Sequence, residues 1–215
     1  MVLMYDVHRI CIDKGTAFSP NGCLVYYFGF NGDWTFQEQM ENCGCKVYVF
    51  DHKLKNIGDL QHSPNIKLYL MGITYKDATA VVVDETGKNR TWKFGTLSTI
   101  YKTMVPEHGE KIIDFIYIEP QVAGKEDEWD IIQNLISSDI LKKVRQIEIL
   151  VKYEPKNSIK EQQNKIRLIK ALEDCGFVRF SSLPHASGNF VNQFDFGDYT
   201  AFQLSWYNRG LTRKW

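Results

Sequence analysis

A chain of 215 residues is long enough for one well-buried core and short for two, so a single domain over residues 1–215 is expected, with residues 1–20 as an amino-terminal arm. Its 26 Lys and Arg balance 26 Asp and Glu, which leaves no net field to hold a polyanion, and no nucleic-acid partner is expected. A hydrophobic share of 44% without low-complexity tracts excludes disorder, and no run approaches the roughly 18 apolar residues of a membrane span.

Residues 1–20 show weak periodicity. Residues 23–28, CLVYYF, then form an apolar run without polar alternation, the pattern of a strand buried on both faces of a parallel sheet. After GFNGDW, Thr35 and Glu38 have the spacing of a reciprocal capping box, and Phe36, Met40 and Cys43 fall on one helical face before Gly44 stops the helix. The strand CKVYVFD follows. A crossover this short implies parallel neighbours.

A short helix is predicted near residues 54–60, then a strand IKLYLMGIT. ATAVVV and NRTWKF read as a surface hairpin around the Asp84–Lys88 turn. A helix over Thr96–Met104 precedes the strand KIIDFIYIE. Residues 126–140 place Trp129, Ile132, Leu135, Ile136 and Ile140 on a helical stripe that leads into the strand VRQIEILVKY. Ser158 and Glu161 repeat the capping signature before a helix carrying Ile166, Ile169 and Leu172, which Gly176 ends. The strand GFVRFSS, a 16-residue loop beginning at Leu183 and a last strand YTAFQLSWY close the chain. No helix pattern joins those two strands, so they are expected to run antiparallel. The architecture is an α/β, mostly parallel doubly wound sheet with a reversed carboxy-terminal strand.

In such a sheet ligands bind beyond the carboxyl ends of the strands, so the loop after the first buried strand matters most. It holds Gly29 and Gly32, and Asp51 ends the next strand 22 residues after Gly29, near the spacing of a ribose-binding carboxylate. Only G-x-x-G is present, and Asp33 would repel a pyrophosphate while suiting the ammonium of a methionine moiety. A nucleoside without phosphates fits this loop better than a dinucleotide, and a nicotinamide oxidoreductase lacks its phosphate cradle.

The stretch CLVYYFGFNGDWTFQEQMENCGCKVYVFDHKL resembles the corresponding segment of the methyltransferase-like protein 24 family, a group similar to FkbM-type methyltransferases; LYLMGIT, TLSTIYKTM, IIDFIYIE, EDEW and CGFVRF follow in that family's order from about residue 6 onward. The resemblance implies a Rossmann-like methyltransferase fold and S-adenosylmethionine as cofactor, with a small-molecule or protein acceptor. It further implies that Phe28, Gly29, Asn31, Asp33 and Trp34 line the methionine side, Asp51 the ribose, and Met71, Gly72 and Ile73 the adenine. The family's Phe-Asp-Pro is Phe50, Asp51, His52 here, and its Ile-Asp-x-Glu-Gly becomes IYIEPQVAGKEDEW, where Glu119 takes the first acidic position, Pro120 follows and an insertion separates it from Glu128 and Trp129. Because of that departure a catalytically inactive scaffold of the same fold stays open as a second reading.

Glu119, at a strand end on the ligand face, is the candidate base for an acceptor that must lose a proton; capping a turn or pairing with a lysine is its plainer role. His52 follows the ribose carboxylate, where it either donates to the nucleoside or sits half-exposed. His185 lies in the long loop, a candidate acceptor lid. His8 and His62 have no polar company at recognisable spacing, and Trp92, Trp129, Trp206 and Tyr207 read as packing residues. Arg209, Arg213 and Lys214 read as a solvated tail. Five cysteines, with Cys43 and Cys45 as a lone C-x-C pair, point to reduced thiols and no metal site. With no leader pattern the chain reads as cytoplasmic, whereas the resemblance allows the secretory pathway if an amino-terminal anchor has been lost. Composition sets no oligomeric state.

Overall fold

The computed structural model describes residues 2–5, 8–18, 22–53, 60–83, 87, 89–119, 128–153, 158–184 and 201–212. The chain opens with an antiparallel hairpin, β1 (Val2–Tyr5) and β2 (His8–Cys11). Residues 8–11 are no loose arm: His8, Ile10 and Cys11 are buried, and β2 packs on strands of the main sheet.

Next come β3 (Leu24–Phe28), α1 (Thr35–Asn42) and β4 (Lys46–Phe50). All five residues of β3 are buried, as a central parallel strand requires. Helix α1 buries Phe36 and Met40 on the sheet, and Gly44 at φ 84° turns the chain out of it, while Cys43 is exposed. The capping box does not form at α1. Thr35 is the first helical residue rather than the cap, so Asp33 reaches in from outside: its Oδ1 accepts from Thr35 N (2.9 Å) and Oγ1 (2.6 Å). Glu38 lies instead 2.9 Å from His62 Nε2.

Cys23 and Cys45 precede the paired residues Leu24 and Lys46, which sets them side by side with Cα atoms 4.4 Å apart and bonded as a disulfide. This corrects the expectation of reduced thiols throughout; spacing along the chain gives no hint of a pairing made by adjacent strands.

The segment 66–74 splits between two sheets. β5 (Leu60–Ser63) pairs antiparallel with β6 (Ile66–Tyr69), and β7 (Gly72–Ile73) leaves for a small sheet with β8 (Ala78–Val83) and β9 (Asn89–Gly95). Leu60 is thus a strand residue, and the rest of the helix predicted near 54–60 lies outside the described residues, as do most of the turn at 84–88, the insertion at 120–127 and the long loop with His185. α2 (Leu97–His108), capped by Thr96 Oγ1, runs four residues past Met104 and through Pro106. Then come β10 (Ile113–Ile118), α3 (Glu128–Ser137), a 3-10 turn (Asp139–Lys143), β11 (Val144–Lys152) and α4 (Ile159–Asp174). At α4 the Ser158–Glu161 capping box is complete. Ile169 and Leu172 are buried there, but Ile166 is 59% exposed and belongs to the outer face. β12 (Phe177–Pro184) keeps Leu183 and Pro184 in the strand, and β13 (Ala201–Asn208) returns antiparallel to it.

Among the described residues the main sheet has eight strands in the order β12-β13-β11-β10-β3-β4-β6-β5. β3, β4, β6, β10 and β11 are parallel, and β13 is reversed between β11 and β12. This is the Rossmann-like methyltransferase architecture. The chain leaves β3 toward β4 on one side and returns as β10 on the other, so strand order reverses between β3 and β10. Their register, Phe28 level with Phe50 and with Ile118, brings three carboxyl ends to the same height. No helix among the described residues is long and apolar enough to cross a membrane.

Candidate functional site

At that reversal Phe28, Gly29, Phe50, Asp51, His52, Gly72, Ile73 and Glu119 line a small concavity. The backbone builds its floor. Gly29 N donates to Phe50 O (3.3 Å), Glu119 N to Phe28 O (3.0 Å) and Asp51 N to Tyr69 O (3.0 Å). Position 29 admits only glycine: φ is 99°, and a Cβ would sit 2.6 Å from Glu119 O. Gly72 is equally confined, since its Cβ would lie 2.8 Å from His52 Nδ1 and 2.7 Å from the Phe94 ring.

Asp51 is 3% exposed and its Oδ1 accepts from Lys53 N (2.6 Å). Asp51 lines the concavity beside Gly29. His52 is buried rather than half-exposed. Its ring meets Trp92 edge-on and Phe94 at a tilt, both centroids at 4.7 Å. Burial, reinforced by the Lys53 charge, pushes its pKa down to about 4, so the imidazole is neutral at physiological pH. Its Nε2 is buried without a hydrogen-bond partner among the described residues. Glu119 is half-buried, and the Tyr117 hydroxyl donates to its Oε2 (3.2 Å).

Four sequence-predicted residues do not line this concavity. Asn31 Oδ1 accepts from Asp33 N (3.0 Å), and Asp33 is exposed and engaged at the start of α1, so both serve the turn. Trp34 stacks on His62 (4.1 Å, 12°) and meets Phe30 at a tilt. Met71 is half-buried and packs against the hydrophobic core. Turn formation and helix capping claim the polar side chains of residues 31–33 first.

Three features escaped the sequence. Trp92 and Phe94 alternate along β9, and that period-two signal could have shown that they share a face, but not that the hairpin folds over His52. Tyr117 shares the face of Glu119 by the same alternation. His8 has polar company after all, from Glu148 (2.6 Å), a residue 140 positions away.

The donor set suits a nucleoside carrying positive charge better than a phosphate. Two carboxylates and a neutral imidazole line the concavity with no basic side chain, and the amino end of α1, where an anion would dock, is already occupied by Asp33. The enclosed space is only about 10 Å³, room for little more than a water and far below the roughly 300–1,000 Å³ of small-molecule sites, so a nucleoside enters only if the rim moves.

A family model described as a methyltransferase domain matches residues 3–202. The chain belongs to that methyltransferase domain family. It is 27% identical over 195 residues to the human "Probable methyltransferase-like protein 24" and 26% identical to its Rattus norvegicus counterpart, in each case over 86% of this chain and 50% of that protein. The chain thus spans about half the length of the curated relatives it matches. Among solved structures it is similar to the Methanococcus jannaschii fibrillarin pre-rRNA processing protein, with 12% identity, TM-score 0.46 and 90% and 70% of the two chains covered. A 16S rRNA (adenine(1408)-N(1))-methyltransferase from Catenulisporales acidiphilia overlaps with 13% identity, TM-score 0.41 and 97% and 99% coverage. Strand order and register, not these overlaps, carry the fold of this methyltransferase domain.

Proposed function

We propose that the chain is an S-adenosylmethionine-dependent methyltransferase acting on a small-molecule or protein acceptor. The observation that carries this reading is the buried Asp51 carboxylate facing the concavity at the strand-order reversal, in a chain of the methyltransferase domain family. When bound, the cofactor supplies an electrophilic methyl group on a sulfonium. Asp51 accepts hydrogen bonds from vicinal ribose hydroxyls, and Phe28 and Gly29 form the wall toward the methionine part. Gly72 and Ile73, with neutral His52 behind them, bound the base. Burial leaves the His52 imidazole able to donate or accept one hydrogen bond without carrying charge. Glu119, half-buried at the end of β10, is the base for an acceptor that must lose a proton.

Calorimetric titration with S-adenosylhomocysteine tests the reading. Micromolar binding is expected, with Asp51→Ala weakening it tenfold or more, the effect of removing a charged hydrogen-bond acceptor worth about 1.5–3 kcal/mol. Absence of binding at high micromolar concentration would sink the proposal. Labelled cofactor incubated with lysate then identifies the acceptor class by mass spectrometry.

A further inference from the structure

Under Glu119 lies a set of buried polar side chains that the proposed chemistry leaves unused. Glu148 on β11 is fully buried and takes four donors: His8 Nδ1 (2.6 Å), Arg9 N (3.0 Å), Gln203 Nε2 (2.6 Å) and Ser205 Oγ (2.7 Å). Held in this way, the His8 ring packs edge-on against Tyr117 (4.5 Å), and its Nε2 lies 3.4 Å from the Tyr27 hydroxyl. Tyr27 covers the Tyr117 ring at 4.7 Å and 33°. Tyr117, 3% exposed, then presents its hydroxyl to Glu119 Oε2 at 3.2 Å.

We propose that Tyr117 is a positioning residue for Glu119, its ring fixed by Tyr27 and by a His8 that Glu148 anchors, so that strand β2 is part of the support of the site. The proposal rests on reading Glu119 as part of the methyl-transfer site. A glutamate at a strand end has three side-chain torsions to settle, and a functional carboxylate needs them settled before its ligand arrives. Here the backbone of Glu119 is clamped by Phe28 O and by the bare Cα of Gly29, and Tyr117 fixes the far end. Burial holds the Tyr117 pKa well up, so its hydroxyl keeps its proton and acts as a donor to Glu119. Packing alone would be served by an apolar residue at position 8. A fully buried carboxylate with four donors is a costly way to hold a hairpin, and what it adds is a fixed orientation of the His8 ring.

The test uses Tyr117→Phe, which removes one oxygen and leaves the ring in place, with Tyr26→Phe as a control for loss of a buried tyrosine oxygen on the other face of the sheet. In protein labelled with 13C-carboxyl glutamate, the Glu119 signal, assigned through Glu119→Gln, is expected to move in Tyr117→Phe and stay in Tyr26→Phe. Affinity for S-adenosylhomocysteine is expected to fall about fivefold in Tyr117→Phe but to be unaffected by the same change in a Glu119→Gln background, the signature of coupling through Glu119. An unmoved Glu119 signal, or an equal loss of affinity in both backgrounds, overturns the proposal. If the parent protein binds no S-adenosylhomocysteine, the methyltransferase reading falls, and the NMR arm alone decides whether Tyr117 holds Glu119.

Discussion

Gly29 and His52 carry constraints that a single substitution exposes. Alanine at position 29 meets a positive φ and a backbone oxygen 2.6 Å from its Cβ, so Gly29→Ala is expected to cost about 2–5 kcal/mol in urea unfolding. At His52 the folded pKa is about 4 against an ordinary 6.5, so between those values the unfolded chain binds a proton that the native one does not. The stabilisation from keeping this ring neutral is therefore complete above pH 6.5 and is lost as pH falls toward 4, at a slope of up to roughly 1.4 kcal/mol per unit. Burial pushes His108 down as well, which adds a slope of the same sign. His52→Leu should flatten the profile of stability between pH 7 and 5 relative to the parent; identical slopes would show that His52 titrates as it does in solvent. Asp51 was readable from its spacing after Gly29, whereas the burial of His52 was not, because the rings that enclose it come from residues 92 and 94.

Elements with a local cause were legible. The Ser158–Glu161 box, the Gly44 and Gly176 stops, the uninterrupted apolar run of β3 and the largely apolar strands β10 and β11 each express an interaction within a few residues, and each formed where the pattern placed it. Ser158→Ala is accordingly expected to cost about 1 kcal/mol, read by thermal or urea unfolding. What failed was the assignment of partners. The run 66–74 looks continuous, but Tyr69 ends pairing with β4 and Gly72 begins pairing with β9. Thr35 and Glu38 have box spacing, yet Asp33 captures the Thr35 amide, because the Asp33 and Glu38 carboxylates compete for it and only geometry ranks them. The Cys23–Cys45 bond is likewise a consequence of strand adjacency. It closes 22 residues around α1, and loop-closure entropy assigns it about 3 kcal/mol. A Cys23→Ser, Cys45→Ser double variant should unfold at correspondingly lower urea, and the parent should lose the same stability when reduced.

For the whole molecule, the parallel sheet and its ligand edge follow from the alternation of strands and helices, but the role of the first strands does not. Weak periodicity made residues 1–20 read as an amino-terminal arm. In the fold they complete the polar interior of β11: Gln146 exchanges bonds with Cys11 N (2.8 Å), Cys11 O (2.9 Å) and Thr16 O (3.1 Å), and Glu148 takes His8 and Arg9 N. Both residues are fully buried, so their partners cannot be replaced by water without opening the core. Leaving one buried polar atom without its partner costs about 1–3 kcal/mol, and several lose theirs together. The sum is a large share of the roughly 5–15 kcal/mol that holds a domain together. A chain starting at residue 18 is therefore expected to lose its cooperative urea transition. Adding Gln146→Leu and Glu148→Leu, which remove the orphaned polar groups, should restore part of it. A truncated chain that unfolds with the parent's midpoint would show that the hairpin is an accessory and that β11 solvates its own polar residues.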